Sequence, residues 1–424
     1  MARFIIRGGR SLAGRHRPPG NKNAALPMLA ACVLTDRPVT LHNVPLIEDV
    51  HNMLRILEAL GVDVQLDGHA VKLCASGLQP HALSAELCSR VRASILFAGP
   101  LAARHGEVAL YPPGGDVIGR RRLDTHFAGL QALGIELEGE NPFRLERREL
   151  QGARILLDEA SVTATENILM AAVLAPGRTT IFNAACEPHV QDLCRMLTAM
   201  GASIGGIGTN YLQVEGVATL GGVAHELAPD HVDAASFAAA ARVTGGSLVV
   251  DGAPVDQMDV VARPFGKLGM CWRQEGRALH IDPGHPLRVE NDLGGAIPKI
   301  EDGTWPAFPS DLMSVAIVVA TQAEGTMLFF EKLFESRMYF VDRLIAMGAR
   351  IIQCDPHRVI VSGPARLRGT HVSSPDIRAG MGVILAALCA QGESVIDNAQ
   401  VVDRGYEAID ARLRRLGADI ERVE

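Results

Sequence analysis

One pattern of hydrophobic and polar positions occurs six times along the chain. In each copy, apolar residues with the spacing of an amphipathic helix end at a Leu-Gly or Met-Gly pair, and a short alternation of apolar and polar residues follows. Because glycine readily adopts the left-handed conformation that ends a helix, each copy predicts a turn from a helix into a strand. The glycines of these pairs lie 67 to 79 residues apart, at Gly61, Gly134, Gly201, Gly269, Gly348 and Gly417.

Each copy also contains a second helix pattern that is rich in Ala, Leu and Val. A turn with Gly or Pro and a β-like run follow this helix, as in residues 177–183 and 392–398. One copy therefore predicts a β-α-β-α-β-β unit of about 70 residues. The six predicted helices of this kind are Asn23–Val33, Arg92–Ala103, Thr165–Leu174, Ala234–Val243, Asp311–Ala323 and Arg378–Ala390.

Six such units form either one open solenoid or two closed bodies of three units each. Solenoids usually begin and end with polar repeats that cap the stack, and neither end of this chain has such a repeat. We therefore expect an α/β fold with two domains, residues 21–229 and residues 1–20 plus 230–424. The first 20 residues would supply the missing strands of the second domain, and a cleft between the domains is where ligands most often bind.

The composition excludes several classes of protein. The chain has 424 residues, of which 48% are hydrophobic and 21% charged, so it can bury large cores. A net charge of −7 argues against a general binder of nucleic acids or anionic membranes. No apolar stretch approaches the roughly 18 residues of a membrane span, and the N-terminus lacks a signal-peptide pattern, so we expect a cytoplasmic protein.

Motifs for metals and nucleotide cofactors are missing from the sequence. The eight cysteines form no C-x-x-C pair, which predicts neither a zinc site nor a disulfide framework. The sequence also lacks a P-loop, an H-E-x-x-H motif and a G-x-G-x-x-G placed between strand and helix. Nothing in the sequence indicates an oligomeric state.

Basic residues occur at equivalent helix starts in the repeat. Lys22, Arg92 and Arg378 each stand at the start of a predicted helix, where a cation opposes the helix dipole unless an anion compensates. One such residue alone is best explained as a solvated surface charge. Three at equivalent places predict an anion site, and the loop residues Arg337 and Arg404 add guanidinium groups suited to carboxylate and phosphate.

The segment 112–126 joins a Gly-rich stretch to three consecutive arginines. It is either an exposed hairpin with a solvated charge run or a mobile lid, about 112–122, that brings Arg121 and Asp116 onto a bound anion. Composition alone leaves the two interpretations open.

Seven motifs together resemble the UDP-N-acetylglucosamine 1-carboxyvinyltransferase family of the enolpyruvyl transferase superfamily, over about Phe4 to Val423. The motifs are GNKNAALPMLAA (20–31), VTLHNVP (39–45), PGGDVIG (113–119), NAACEP (183–188), PAFPSDL (306–312), FESRM (334–338) and DRGYE (403–407). The resemblance implies two inside-out α/β barrel-like domains of three repeats each, with the active site in the interdomain cleft.

The resemblance also implies a reaction. Phosphoenolpyruvate donates its enolpyruvyl group to the 3-hydroxyl of UDP-N-acetylglucosamine and phosphate is released, by addition and then elimination. This is the first committed step of peptidoglycan synthesis, linked to cell shape and division. The substrates are small molecules, and neither a metal nor an organic cofactor is expected.

Residues at matching positions take roles by the same resemblance. The implied phosphate clamp is Lys22, Arg121 and Arg404. The implied carboxylate clamp is Arg337 and Arg378. Asp311 resembles the base near the attacking hydroxyl, with a plain helix N-cap as the alternative. The implied UDP-sugar residues are Asn23, Arg92, Arg121, Arg122, Leu123, Asp124, Thr125, His126, Ser161, Val162, Thr163, Asp311 and Leu333.

Three positions depart from the family pattern. Asp116 stands in the lid where most members have the Cys that the epoxide antibiotic fosfomycin attacks, and because a carboxylate is the weaker nucleophile we expect insensitivity to this drug. A thiol is protonated at neutral pH and a carboxylic acid ordinarily is not, so Asp116 can donate a proton only where its surroundings favour the acid form. Arg122 replaces the usual Pro, and Thr163 the usual Gly, near the nucleotide.

Two other functions remain open at this point. The chain could transfer the same enolpyruvyl group to a different acceptor, such as another nucleotide or a shikimate-type phosphate, although the lid pattern and NAACEP (183–188) argue against the latter. It could also be a non-catalytic homologue that senses UDP-N-acetylglucosamine, although Lys22, Asp311, Arg337, Arg378 and Arg404 are all present.

Overall fold

The structure, a computed structural model, describes residues 2–79, 83–116 and 118–424. Contacts divide the chain into two units. The unit that we call the N-terminal unit contains the described residues of 20–116 and 121–228, and the C-terminal unit contains those of 1–19, 117–120 and 229–424. These boundaries lie one residue from those expected. The lid was expected to belong wholly to the N-terminal unit, but residues 118–120 group with the C-terminal unit, and Val117 lies outside the described residues.

Helices and strands alternate along the described residues. The α-helices are α1 (Lys22–Ala31), α2 (Glu48–Ala59), α3 (Ala85–Arg90), α4 (Ala98–His105), α5 (Asp124–Ala132), α6 (Val162–Ala172), α7 (Pro188–Ala199), α8 (His231–Val243), α9 (Val255–Gly266), α10 (Met313–Gln322), α11 (Val341–Ala346), α12 (Ile377–Cys389) and α13 (Ile409–Arg415). The 3₁₀ helices are Cys32–Leu34, Arg92–Phe97, Leu293–Gly295, Ser310–Leu312, Arg337–Phe340 and Ala399–Arg404.

The strands are mostly short. They are β1 (Arg3–Arg7), β2 (Ala13–His16), β3 (Val39–His42), β4 (Asp63–Asp67), β5 (Ala70–Cys74), β6 (Glu107–Leu110), β7 (Ile135–Glu138), β8 (Phe143–Arg147), β9 (Arg154–Leu156), β10 (Arg178–Phe182), β11 (Ser203–Gly205), β12 (Tyr211–Glu215), β13 (Val223–Glu226), β14 (Ser247–Val250), β15 (Arg273–Glu275), β16 (Ala278–Ile281), β17 (Lys299–Glu301), β18 (Gly325–Phe330), β19 (Ile351–Gln353), β20 (Arg358–Gly363), β21 (His371–Ser373), β22 (Glu393–Asp397) and β23 (Asp419–Val423).

Among the described residues, each unit contains three sheets. Those of the N-terminal unit have the strand orders β13-β3-β5-β4, β6-β8-β7 and β11-β12-β10-β9. Those of the C-terminal unit have the orders β15-β16-β14-β2, β17-β18-β20-β19 and β21-β22-β1-β23. Each four-stranded sheet combines one parallel pair with two antiparallel pairs, as in β17, β18, β20 and β19. The strands expected from the first 20 residues are β1 and β2, which pair with β22 and β23 and with β14.

The most buried helices lie inside each unit, and the sheets lie around them. In the C-terminal unit, α8, α10 and α12 pack on one another and bury nearly every residue. In the N-terminal unit, α6 packs on α1 and α4 in the same way. A helix that is apolar on all sides is buried in the core, and small alanine side chains allow these helices to approach closely. The predicted α/β class with three-repeat, inside-out domains is confirmed.

The six glycines of the repeated pattern end helices as predicted. Their φ angles lie between 73° and 107°, a region that favours glycine, and each precedes a strand that starts within four residues. Three of the six predicted helices are part 3₁₀ helix. Asn23–Val33 ends in the 3₁₀ helix Cys32–Leu34, Asp311–Ala323 starts in Ser310–Leu312, and Arg92–Ala103 is a 3₁₀ helix followed by α4. Pro100 lacks an N–H, and starting α4 at Ala98 places this proline in the first turn, where the missing donor costs least.

Candidate active site

The start of α1 places Lys22 in a buried position in the N-terminal unit. Asn21 caps this helix, since its side-chain oxygen accepts from the backbone N–H groups of Asn23 and Ala24 at 2.8 and 3.2 Å. The Lys22 Nζ lies 2.8 Å from Oδ2 of Asp49, a buried residue of α2. The sequence analysis missed Asp49. Its only signal was an acidic residue in the first turn of the helix that follows α1.

Arg92 holds the C-terminal end of the segment that was expected to form the lid. Its guanidinium group donates to the backbone oxygens of Arg121 and Arg122, all within the N-terminal unit. Burial, together with the nearby charge of Arg121, lowers the pKa of Arg92 to about 10. The structure therefore brings together three of the residues predicted at the UDP-sugar end.

A pocket of about 470 Å³ opens beside this segment. Arg122 and Asp124 lie on its wall and pair with each other, with 2.7 Å between Arg122 Nη2 and Asp124 Oδ1. Phe127 and Phe143, with ring centroids 5.0 Å apart, supply an apolar wall that the sequence analysis did not identify. The lining residues are Arg92, Pro112, Pro113, Arg121, Arg122, Leu123, Asp124, Phe127, Leu137, Gly139, Glu140 and Phe143.

Thr125 and His126 are buried residues in the first turn of α5, in the N-terminal unit. The His126 ring is 2% exposed and lies between the Thr163 hydroxyl, 3.1 Å from Nε2, and the Asn167 amide nitrogen, 3.1 Å from Nδ1. Burial and the charge of Arg92 lower the pKa of His126 to about 3, so the ring is neutral. Because Asn167 donates to Nδ1, Nε2 carries the proton and donates to Thr163. Thr125 donates to Asp158 at 2.7 Å.

The start of α6 carries the remaining predicted residues of this unit. Ser161 caps the helix and accepts from the backbone N–H of Ala164 at 3.4 Å. Val162 and Thr163 are partly exposed in the first turn, and Asn23 is partly exposed in the first turn of α1. Their side chains are therefore partly accessible, whereas Thr125 and His126 are buried.

In the C-terminal unit, Asp311 lies between two buried arginines. Its Oδ1 is 3.1 Å from Arg337 Nη2, and its Oδ2 is 2.8 Å from Arg378 Nη2. Neither the 3₁₀ helix Ser310–Leu312 nor α10 has a side-chain cap, so the N-cap alternative for Asp311 is wrong. The carboxylate instead balances two guanidinium charges.

Both arginines retain unused hydrogen-bond donors. Among the described residues, Arg337 Nε and Arg378 Nη1 are buried without a hydrogen-bond partner. Buried donors are ordinarily satisfied, so such a pair marks a position where an anionic group can bind. Arg378 also lies over the Tyr406 ring, 5.3 Å from its centroid, and Arg337 over the Phe334 ring at 5.2 Å.

The other predicted residues lie on loops or helix ends. Arg404 is partly exposed at the end of the 3₁₀ helix Ala399–Arg404, and Leu333 is exposed after β18. Asp116 is partly buried before Val117, which lies outside the described residues. Beyond that gap, the Arg120 backbone N–H donates to the Glu335 carboxylate at 3.1 Å.

Two further observations concern metal ligands and membrane-spanning helices. They contain no group of three or more His, Cys, Asp or Glu side chains placed to hold a metal ion. Within the same part of the chain, no helix is both long and apolar enough to cross a membrane.

The chain is similar in sequence and fold to known carboxyvinyltransferases. A family model described as EPSP synthase (3-phosphoshikimate 1-carboxyvinyltransferase) matches residues 6–413. The UDP-N-acetylglucosamine 1-carboxyvinyltransferase of Bradyrhizobium diazoefficiens is 52% identical over 426 residues, which cover 99% of this chain and 98% of that protein. The protein of the same name from Treponema denticola is 50% identical over the full length of both.

Two solved structures share the fold at low sequence identity. The enolpyruvyl transferase NikO from Streptomyces tendae has a TM-score of 0.88 at 23% identity, covering 100% of this chain and 99% of that one. EPSP synthase from Acinetobacter baumannii has a TM-score of 0.77 at 19% identity, covering both chains fully. The chain therefore belongs to the EPSP synthase family of carboxyvinyltransferases, and within it to the UDP-N-acetylglucosamine 1-carboxyvinyltransferases.

Proposed function

We propose that this protein transfers the enolpyruvyl group of phosphoenolpyruvate to the 3-hydroxyl of UDP-N-acetylglucosamine and releases phosphate. The observation that carries the proposal is the cluster of Asp311, Arg337 and Arg378. The Asp311 carboxylate pairs with both guanidinium groups, and each of these groups keeps one buried N–H donor, Nε of Arg337 and Nη1 of Arg378, without a partner among the described residues. Full-length relatives that share about half of the sequence and are named UDP-N-acetylglucosamine 1-carboxyvinyltransferase support the proposal.

The donor carboxylate is bound by Arg337 and Arg378 in this proposal. Their unused N–H groups, Arg337 Nε and Arg378 Nη1, can donate hydrogen bonds to a carboxylate without displacing Asp311 from its own bonds. Charge-assisted bonds from guanidinium forks are among the strongest that a protein makes to a carboxylate. The donor is thereby oriented with its reacting carbon fixed.

The phosphate of the donor is neutralised by Lys22, Arg121 and Arg404. Lys22 stands at a helix start, where the positive end of the helix dipole favours an anion. Asp49, which already pairs with Lys22, orients the ammonium group. Cations fixed before the reaction stabilise the charge that develops on phosphate as it leaves.

The reaction proceeds by addition and then elimination. In the first step the acceptor hydroxyl gives its proton to Asp311, its oxygen bonds to C2 of the donor, and C3 receives a proton from Asp116. In the second step the bond from C2 to the phosphate oxygen breaks and phosphate leaves with the proton held by Asp311. The new methyl group returns a proton to the Asp116 carboxylate, and the C2–C3 double bond is restored. No metal or organic cofactor takes part.

The uridine diphosphate end is bound beside Arg92 and the segment Arg121–Asp124. The pocket there joins cationic groups to the apolar wall of Phe127 and Phe143, which suits a charged diphosphate next to a flat base. Asn23, Leu333 and the start of α6 (Ser161–Thr163) complete the acceptor site. We assign Thr125 and His126 to the support of this site.

The proposed reaction is the first committed step of peptidoglycan synthesis, and so serves cell shape and division. Both substrates are charged cytoplasmic metabolites, which supports a cytoplasmic enzyme. Because a carboxylate at position 116 is a poor nucleophile, the proposal includes insensitivity to fosfomycin.

Phosphate release from phosphoenolpyruvate tests the function directly. Release that depends on UDP-N-acetylglucosamine supports the proposal, and other uridine nucleotides are assayed in parallel. Release with another nucleotide alone would reassign the acceptor. Tight binding of UDP-N-acetylglucosamine without turnover would refute the enzymatic proposal in favour of a sensor.

A further inference from the structure

Two carboxyl side chains, Asp302 and Glu331, are buried side by side in the C-terminal unit. Both are 0% exposed. Asp302 follows β17 and Glu331 follows β18, and these strands pair in parallel with Glu301 opposite Phe330. The next residue of each strand therefore lies at the same edge of the sheet. Neither residue belongs to the substrate-binding residues proposed above.

The surroundings of the two carboxyl groups satisfy all but one of their oxygens. The Ser310 hydroxyl lies 2.9 and 2.8 Å from the two Glu331 oxygens, and the Phe334 backbone N–H donates to Glu331 Oε1 at 3.2 Å. The Lys332 backbone N–H donates to Asp302 Oδ1. Asp302 Oδ2 is buried and has no hydrogen-bond partner among the described residues.

Two adjacent buried carboxyl groups cannot both carry a charge. Burial, reinforced by Asp302, raises the pKa of Glu331 to about 9, although Arg337 and Ser310 oppose this shift. The other titratable groups nearby face elsewhere, because Lys332 Nζ lies 3.7 Å from Glu301 and His357 Nδ1 contacts the Glu331 backbone oxygen at 2.7 Å. Glu331 is therefore a neutral acid at physiological pH.

A proton on Glu331 accounts for the unpartnered oxygen. Asp302 is close enough to Glu331 for a hydrogen bond between their side chains. A neutral acid donates one hydrogen bond, and Oδ2 is the Asp302 oxygen that lacks a donor among the described residues. One shared proton thus satisfies the last oxygen and leaves a single negative charge on the pair.

The pair contacts both segments that carry the proposed active-site residues. Ser310, which bonds to Glu331, directly precedes Asp311. Phe334, whose N–H donates to Glu331, carries the ring over which the Arg337 guanidinium lies. We propose that Asp302 and Glu331 share one proton and act as a positioning pair that holds Asp311 and Arg337 in their relative geometry. The kinetic part of this inference rests on the proposed function.

Loss of the shared proton has a defined consequence. Above about pH 9 the pair would hold two negative charges in contact, and repulsion would separate the strand ends. Ser310 and Phe334 would move with them, and a displacement of about 1 Å at a reacting group can cost about a hundredfold in rate. We therefore expect the alkaline decline of kcat/KM to contain a component from this pair.

Conservative variants separate positioning from simple packing. In Glu331→Gln the amide nitrogen can donate to Asp302 Oδ2, while the amide oxygen accepts from Ser310 and Phe334. In Asp302→Asn the amide nitrogen of residue 302 can donate to Glu331 instead, so the direction of that hydrogen bond is reversed. We expect both variants to keep kcat/KM within about threefold of wild type at neutral pH and to lose the alkaline component. Glu331→Ala should lose about ten- to a hundredfold.

The matched control is Glu301→Gln. It makes the same Glu-to-Gln change one residue from Asp302, but Glu301 is partly exposed and pairs with Lys299 at 2.8 Å. We expect this variant to keep both the neutral rate and the alkaline profile of the wild type. An equal change of profile in Glu301→Gln would refute the role of the buried pair.

Infrared difference spectroscopy tests the proton without an activity assay. The carbonyl stretch of a protonated carboxylic acid should be present in wild type at neutral pH and decrease equally in Glu331→Gln and Asp302→Asn, but not in Glu301→Gln. An unchanged band would overturn the shared proton. A lost band with an unaltered pH profile of kcat/KM would overturn the positioning role. Failure of wild type to release phosphate would count against the proposed function and leave the infrared result to stand alone.

Discussion

Replacing Arg412 by methionine should destabilise the C-terminal unit strongly. Arg412 of α13 donates to both oxygens of Asp233 in α8, each at 2.7 Å, and its guanidinium lies 4.5 Å from the Phe237 ring centroid. His16 of β2 contacts the same carboxylate at 2.7 Å and stacks on Phe237. All three polar groups are buried, so methionine would remove one partner from a closed network.

The magnitude follows from the charge that would remain. Burial alone would raise the pKa of Asp233, but Arg412 and His16 hold it below its ordinary value. Removing one member of a buried ion pair costs about 3–5 kcal/mol because the other charge is left uncompensated. For a domain of about 200 residues, 1 kcal/mol corresponds to about 2–4 °C, so we expect Tm to fall by about 6–20 °C.

The pH dependence of the loss of stability in Arg412→Met provides a second check. Burial, aided by the positive charge of Arg412, lowers the pKa of His16. Without Arg412 the pKa of His16 is higher than in wild type, so the folded variant binds a proton more readily and recovers part of the lost stability as pH falls. The variant should therefore be less destabilised in mildly acidic buffer than in alkaline buffer.

Thermal unfolding followed by circular dichroism measures both effects. Arg415→Met is the matched control, because Arg415 is an exposed residue of the same helix end and should change Tm by no more than about 2 °C. A drop in Arg412→Met no larger than in this control would refute the reasoning that the buried network stabilises the unit.

Three further predictions concern the proposed active site and the buried pair. Asp311→Asn should lower kcat by about 10²–10⁴, as expected for loss of a general base, in the phosphate-release assay; an active variant would exclude that role. Asp116→Cys should gain time-dependent inactivation by fosfomycin with a matching mass increase, while wild type shows neither; inactivation of wild type would contradict the weak-nucleophile argument. The pKa of Glu331 is about 9 in the folded protein and about 4.3 in the unfolded chain. The neutral acid therefore contributes fully to the free energy of unfolding below about pH 4.3. This contribution is lost as pH rises towards 9, at up to about 1.4 kcal/mol per pH unit. Denaturation midpoints of Glu331→Gln should fall less steeply over that range, and parallel curves would argue against a neutral Glu331.

The repeated local pattern made most of the fold predictable. A glycine after the last helical turn and the alternation that follows depend on backbone sterics and side-chain spacing within a few residues. Those determinants are local, so Gly61, Gly348 and the other copies end helices where the sequence indicates. The recurrence also revealed Lys22, Arg92 and Arg378 as a set, because equivalent residues stand at equivalent helix starts.

Only the tertiary structure decided which groups meet. Glu331 and Asp302 are 29 residues apart, and nothing near either one indicates a buried carboxyl pair; the parallel pairing of β17 and β18 creates it. Lys22 and Asp49 meet for a similar reason, since two helices must pack before their side chains can touch. The sequence alone determined the repeat, the α/β class and the cationic helix starts. Packing of distant segments decided the partners, the burial and hence the protonation of individual groups, because desolvation and charge contacts exist only once the chain has folded.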